Sequence, residues 1–138
     1  MSSFRRLFIA VVLVFSVVSI SYAQKPAQKP EKKASIALDS MRTNLGVFPK
    51  SASTKTVVFT FKNVGNDKLV FYGGSGDCGC IKVSYPEKPI KPGRKGQIVV
   101  TYRGVNKNPG RFNHKVNFSV SGSPSHFTLR VAGEMTKN

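Results

Sequence analysis

Acidic residues, cysteines and histidines are all scarce in this chain of 138 residues, at six, two and two. Five of the six carboxylates, Asp39, Asp67, Asp77, Glu87 and Glu134, fall at turns or strand ends of the expected folded region. Scattered in this way they offer no converging pair for acid–base hydrolysis. Two cysteines are too few for a disulfide framework. His114 shares a strand face with Phe112 and Val116, whereas His126 opposes Phe127 and Leu129. The two histidines and both cysteines are therefore not expected to meet at one zinc ion, which wants four ligands. Gly73-Gly74-Ser75-Gly76 precedes a strand pattern, and a phosphate-cradling loop requires a following helix. No window after the first 23 residues sustains a helical period with capping signals. The absences together point away from an enzyme, a cofactor and a small-molecule substrate.

Basic residues are plentiful. Lys and Arg number 22, for a net charge of +16. The N-terminus has the three parts of a cleavable signal peptide. Arg5 and Arg6 lead the 14-residue apolar run Leu7–Ile20, and Ser21-Tyr22-Ala23 supplies the small–any–small cleavage pattern. Residues 1–23 are thus expected to be removed between Ala23 and Gln24. The run is short of the ~20 residues that span a bilayer, so no stable membrane anchor is expected. No cysteine lies beside the run, which leaves no site for bacterial lipid attachment at a signal-peptide cysteine. Losing Arg5 and Arg6 leaves 20 basic residues against six acidic ones, a net charge of +14. Such charge favours solubility and attraction to polyanions without bearing on the fold. Residues 24–35 are Lys/Pro-rich and read as an extended tether. Residues 36–138 are expected to form one domain.

That region alternates with period two, the signature of strands with one apolar face. Strands are expected over Asn44–Phe48, Thr56–Asn63, Lys68–Tyr72, Cys80–Tyr85, Gln97–Tyr102, Arg111–Val120 and His126–Ala132. Turn chemistry separates them at Gly65-Asn66-Asp67, Pro92-Gly93, Asn108-Pro109-Gly110 and Ser121-Gly122-Ser123-Pro124. Seven strands at this spacing predict an all-β, immunoglobulin-like antiparallel β-sandwich. Its core should include Val57, Phe59, Phe61, Leu69, Ile98, Val100, Phe112, Val116, Phe118, Leu129 and Val131.

An ordered set of motifs runs through the same region. It comprises Phe59-Thr60-Phe61-Lys62-Asn63-Val64-Gly65, Cys78-Gly79-Cys80, Pro89-Ile90-Lys91-Pro92-Gly93 and the closing Leu129-Arg130-Val131-Ala132-Gly133-Glu134. Over residues 44–134 it resembles a bacterial secreted immunoglobulin-like family, domain of unknown function 1573. That family looks related to Hydin-type and sperm-protein-type domains. The resemblance implies a seven-stranded sandwich located in the periplasm or on the surface of a Gram-negative bacterium. It implies no assigned activity, and the fold-level kinship suggests protein binding. Ile81 stands where the family usually has threonine, and Tyr72–Gly76 is looser than the usual apolar strand end.

Cys78 and Cys80 are two apart, so on an extended strand both side chains face one way. Their Cα atoms would then sit ~6.6–7 Å apart, at the upper limit for a disulfide, and Gly79 is expected to supply the bend. In an oxidising compartment, bonding is the default for a lone pair. A ring this small constrains the unfolded chain little and is expected to reduce more readily than a structural disulfide. Three roles stay open for the pair: a local staple, a redox exchange centre, or two thiolates holding a soft metal.

The leading functional expectation is a non-enzymatic module that binds an envelope protein or glycan. A polyanion surface built from Arg111, Lys115 and Arg130, on the wet faces of two late strands, is an alternative. Nucleic acid is not an expected partner. Ser40, within Asp39-Ser40-Met41, resembles an O-glycan acceptor of some Gram-negative periplasmic proteins.

Overall fold

β-Branched and aromatic residues at alternate positions build eight strands in the computed structural model, which describes residues 29–138. The signal peptide, its Ala23/Gln24 cleavage site and the first five residues of the tether, 24–28, lie outside the described residues. The strands are β1 (Ile36–Leu38), β2 (Arg42–Pro49), β3 (Thr54–Asn63), β4 (Phe71–Gly76), β5 (Ile81–Ser84), β6 (Lys95–Arg103), β7 (Gly110–Val120) and β8 (His126–Thr136). One sheet has the order β1-β3-β6-β5 and the other β2-β8-β7-β4. The expected immunoglobulin-like sandwich is therefore the fold observed. It has one strand more than the seven expected, the short β1. β2 also runs parallel to β8, whereas the other strand pairings of the two sheets are antiparallel.

The inner faces of the two sheets bury Phe59, Phe61, Leu69, Ile98, Val100, Val116, Phe118, Leu129 and Val131, as the alternation requires. Val57 and Phe112 pack against this core half-buried. Phe48, Tyr102, Phe127 and Met135 are among the residues that join it from positions outside the expected set.

The fourth strand departs from the expected Lys68–Tyr72. Leu69 makes only an isolated bridge to Ile90, and the ladder begins at Phe71 and runs through the glycines to Gly76. Glycine suits this run because of its neighbours. A Cβ on Gly74 would meet the rings of Phe118 and Tyr85, and one on Gly76 would meet Ile81. The apolar content of β4 is thus supplied by side chains from elsewhere that lie against it.

The motifs around Asn63 meet at one buried amide, 0% exposed. Its Nδ2 donates to the carbonyls of Asp67 (2.7 Å) and Ile90 (2.9 Å). Its Oδ1 accepts from the N–H groups of Gly65 (3.1 Å) and Ser35 (3.3 Å). The Asn63 backbone bonds Arg94 and Gly93. A Cβ on Gly65 would run into the backbone of Lys33–Ser35, so glycine there lets that segment lie close. Ala34 is buried, and Asn66 pairs with Lys33 and Glu31.

Candidate functional site

β4 belongs to one sheet and β5 to the other, so the chain crosses the sandwich between Gly76 and Ile81. That crossing is Asp77-Cys78-Gly79-Cys80. Cys78 and Cys80 are joined in a disulfide with Cα atoms 5.2 Å apart, closer than an extended strand would place them. The turn is held by Ile81 N–H donating to Cys78 O (3.2 Å) and Arg103 N–H donating to Cys80 O (2.7 Å). Gly79 makes the bend without a positive φ, which among the described glycines occurs only at Gly46, Gly93 and Gly110. A Cβ on Gly79 would meet nothing within 4 Å. The expected conformational need for glycine here is therefore not what the structure uses. What Gly79 leaves is open space beside the sulfurs.

The register of β4 on β7 sets Gly76 opposite Val116, which carries Asp77 to Lys115 and within reach of His114. Asp77 Oδ2 accepts from Lys115 N–H at 2.9 Å, and Asp77 Oδ1 lies 2.8 Å from His114 Nδ1. Burial pushes the Asp77 carboxyl up. The Lys115 backbone bond, the His114 bond and charge, and its own backbone N–H outweigh that and hold it below its ordinary 3.8. An ionised carboxylate only accepts, so Nδ1 carries a proton and Nε2 points away from Asp77. Nε2 lies 3.6 Å from Cys80 Sγ. The ring is fixed by stacking on Tyr102 (5.8 Å) and Phe112 (5.6 Å). The result is a carboxylate–imidazole–sulfur chain drawn from β7 and the crossing. Its two sulfurs and the imidazole keep one ligand atom each within 4.8 Å of one another.

Access to the two sulfurs differs. Cys80 is 5% exposed, Cys78 is half-buried, and Cys78 Sγ accepts from Cys80 N–H at 3.1 Å. Beside Cys80 opens a recess of about 420 Å³ lined by Gly79, Cys80, Arg103, Val105, Asn106 and Lys107. Its two charged walls are cationic.

Arg111, Lys115 and Arg130 sit on the outer face of the β2-β8-β7-β4 sheet. Lys115 is the register partner of Arg130, and Arg130 is in turn the partner of Arg42, giving a basic row across three strands. Arg42 was not among the expected residues, because nothing local to its sequence indicates a neighbour 88 positions away. Arg111 stands apart from the row and pairs with Glu134 (3.2 Å), beside a shallow groove of about 550 Å³. Ser40 is exposed between β1 and β2, its hydroxyl donating to Arg42 O at 2.7 Å. His126 is exposed and bonds Ser125 Oγ, away from the cysteines.

A family model described as "Protein of unknown function (DUF1573)" matches residues 36–135. Among curated proteins, none matches the sequence. A crystal structure of a protein of unknown function from Porphyromonas gingivalis W83 is similar at 14% identity and TM-score 0.67, over 80% of this chain and 51% of that one. The ASH/PapD-like domain 7 of human CEP192 is similar at 11% identity and TM-score 0.61, over 88% of this chain and 99% of that one. The periplasmic chaperone SfaE is similar at 11% identity and TM-score 0.50, over 72% of this chain and 55% of that one. The chain thus spans about half the length of the Porphyromonas protein and of the chaperone. At these identities the likeness establishes a PapD-like, immunoglobulin-like fold.

Proposed function

This chain belongs to the DUF1573 family of proteins of unknown function, and we propose that it is an exported cell-envelope module that engages a partner protein and exchanges a disulfide with it through Cys78 and Cys80. The observation that carries the reading is His114, held by Asp77 and turned toward Cys80 Sγ at 3.6 Å. A partner thiolate attacks Sγ of Cys78, the more exposed residue of the pair. The Cys78–Cys80 bond breaks, a mixed disulfide forms on Cys78, and Cys80 leaves as a thiolate facing His114, whose Nε2 holds it by taking up the proton that the attacking partner thiol gave up. A second thiol of the partner then attacks the mixed disulfide. It leaves the partner oxidised by two electrons and the pair reduced. Arg103 and Lys107 beside the sulfurs favour an acidic partner segment. Export to the periplasm or cell surface of a Gram-negative bacterium rests on the signal-peptide pattern, and the SfaE likeness agrees with it.

Cysteine trapping in the native envelope tests this. Cys80→Ser should accumulate covalent partners on Cys78 that reductant releases, and Cys78→Ser should trap far fewer. If neither variant traps a protein and the native pair resists a dithiol while folded, the exchange reading falls.

The basic row Arg42–Arg130–Lys115 favours a second reading, binding of an acidic envelope glycan by that face, with Arg111 at its margin. Retention on heparin above moderate salt, lowered by Arg130→Gln, would support it. Elution where any protein of this charge elutes would not.

A further inference from the structure

We infer that the reduced form of this centre is a soft-metal site for a monovalent d¹⁰ cation such as Cu(I), held by Cys78 Sγ, Cys80 Sγ and His114 Nε2. The inference rests on the exchange reading above in one respect only, that the pair can open. In the disulfide both sulfurs are bonded to each other and are poor donors. Two electrons and two protons from a partner dithiol give two thiols and a partner disulfide. The cation then displaces the thiol protons.

One donor pair already has the needed spacing, and reduction frees the two sulfurs to separate. Two donors ~2.0–2.3 Å from one ion and some 110–120° apart lie ~3.5–3.8 Å from each other. Cys80 Sγ and His114 Nε2 are 3.6 Å apart, and the three donor atoms are mutually within 4.8 Å. The outer shell matches as well. A ligating imidazole usually gives its other N–H to a carboxylate, which fixes the ring and its tautomer. Asp77 Oδ1 does this here at 2.8 Å, while Oδ2 is committed to Lys115 N–H.

Donor number and softness choose the ion. Thiolates select Cu(I) and other soft ions, whereas a structural zinc site takes four protein ligands. Among the described residues the cluster has three donors. His126, which could have been a fourth, is engaged with Ser125 on a strand face away from the cysteines. Two thiolates and one monovalent cation leave a net charge of −1, which Arg103 and Lys107 of the adjoining recess offset.

The test titrates the full mature chain with Cu(I) under nitrogen against a chromophoric Cu(I) chelator, before and after reduction and removal of the reductant. One Cu(I) should bind to the reduced chain and none to the oxidised chain. X-ray absorption at the copper edge should show two sulfurs and one nitrogen. His114→Ala should lose the nitrogen and weaken binding at least tenfold, and Asp77→Asn should weaken it about 10- to 100-fold. Equal Cu(I) affinity in His114→Ala, or a sulfur-only shell in the native chain, overturns the site. The absorption result stands even if a variant folds poorly. A chain that opens with dithiols but binds no Cu(I) would sink this inference and spare the exchange. One that binds Cu(I) only after harsh chemical reduction would do the reverse.

Discussion

Replacing His114 with phenylalanine separates the chemistry of the ring from its packing. The ring stacks on Tyr102 and Phe112, and each such pair contributes ~0.5–1.5 kcal/mol beyond its buried area. Phenylalanine keeps most of that and removes both ring nitrogens. What disappears is the group facing Cys80 Sγ, the sulfur that leaves when Cys78 is attacked. A hydrogen bond to a charged group is worth ~1.5–3 kcal/mol net. Nε2 donates to the departing thiolate only when the ring carries a proton on both nitrogens; where that bond forms fully, its loss slows opening by about 10- to 150-fold, at ~1.4 kcal/mol per factor of ten. The chain has only two cysteines, so alkylation reports directly. Oxidised protein is mixed with excess dithiothreitol at neutral pH, quenched with acid, alkylated and weighed for zero, one or two adducts. His114→Phe should open at least tenfold more slowly than the native protein, with a urea midpoint lowered only by the loss of the Asp77–Nδ1 bond. Opening within threefold of the native rate, with the fold intact, would refute the leaving-group argument.

Acid stability should carry the mark of Asp77. Its folded pKa lies below 3.8, so its contribution is complete above the unfolded value and is lost as pH falls through the folded one. Asp77→Asn should flatten the decline of the urea midpoint below about pH 4, and a native-like decline in the variant would contradict this. Asn63→Leu leaves four hydrogen bonds of a fully buried amide unmade and should cost roughly 3 kcal/mol or more by urea melting. A loss below 1 kcal/mol would mean that water replaces the amide, on the same scale. Arg130→Gln should raise stability by ~0.2–1 kcal/mol at low salt, because like charges directly across strands repel. The gain should fade at high salt. Gly79→Ala should leave stability within ~1 kcal/mol, as its Cβ meets nothing and φ is not positive. A larger loss would show that the bend does need glycine.

Period-two alternation was enough to expose the long strands, because each has one face against the other sheet and one in water. It failed where that rule is locally suspended. β4 hides behind Phe118 and Ile81, so its own residues look like a loop. β1 has only three residues and lies against the end of β3. The cysteine pair and the inward face of His114 were legible for the same local reason. Their meeting was not. Asp77 and His114 are 37 positions apart and Cys80 and His114 are 34, and only the β4–β7 register brings them together. Knowing the strand pairing in advance would have been enough to find the site, since it sets Asp77 beside Lys115. The same holds for Arg42, whose place in the basic row depends on the parallel β2–β8 pairing.

The position of the site follows from the topology. A chain that leaves one sheet and enters the other has to pass the open end of the core, where backbone groups lack ladder partners and water can enter. Asp77, Cys78 and Cys80 lie on that passage, and the backbone bonds from Ile81 and Arg103 hold it without sealing it. Cys80 turns inward onto His114 and the aromatic wall, and Cys78 stays half-buried at the mouth. A staple alone would gain nothing from this asymmetry, since it serves equally well with both sulfurs buried. An exchange centre uses it directly: one sulfur must be reached, and the other must be released toward a group that can hold its charge.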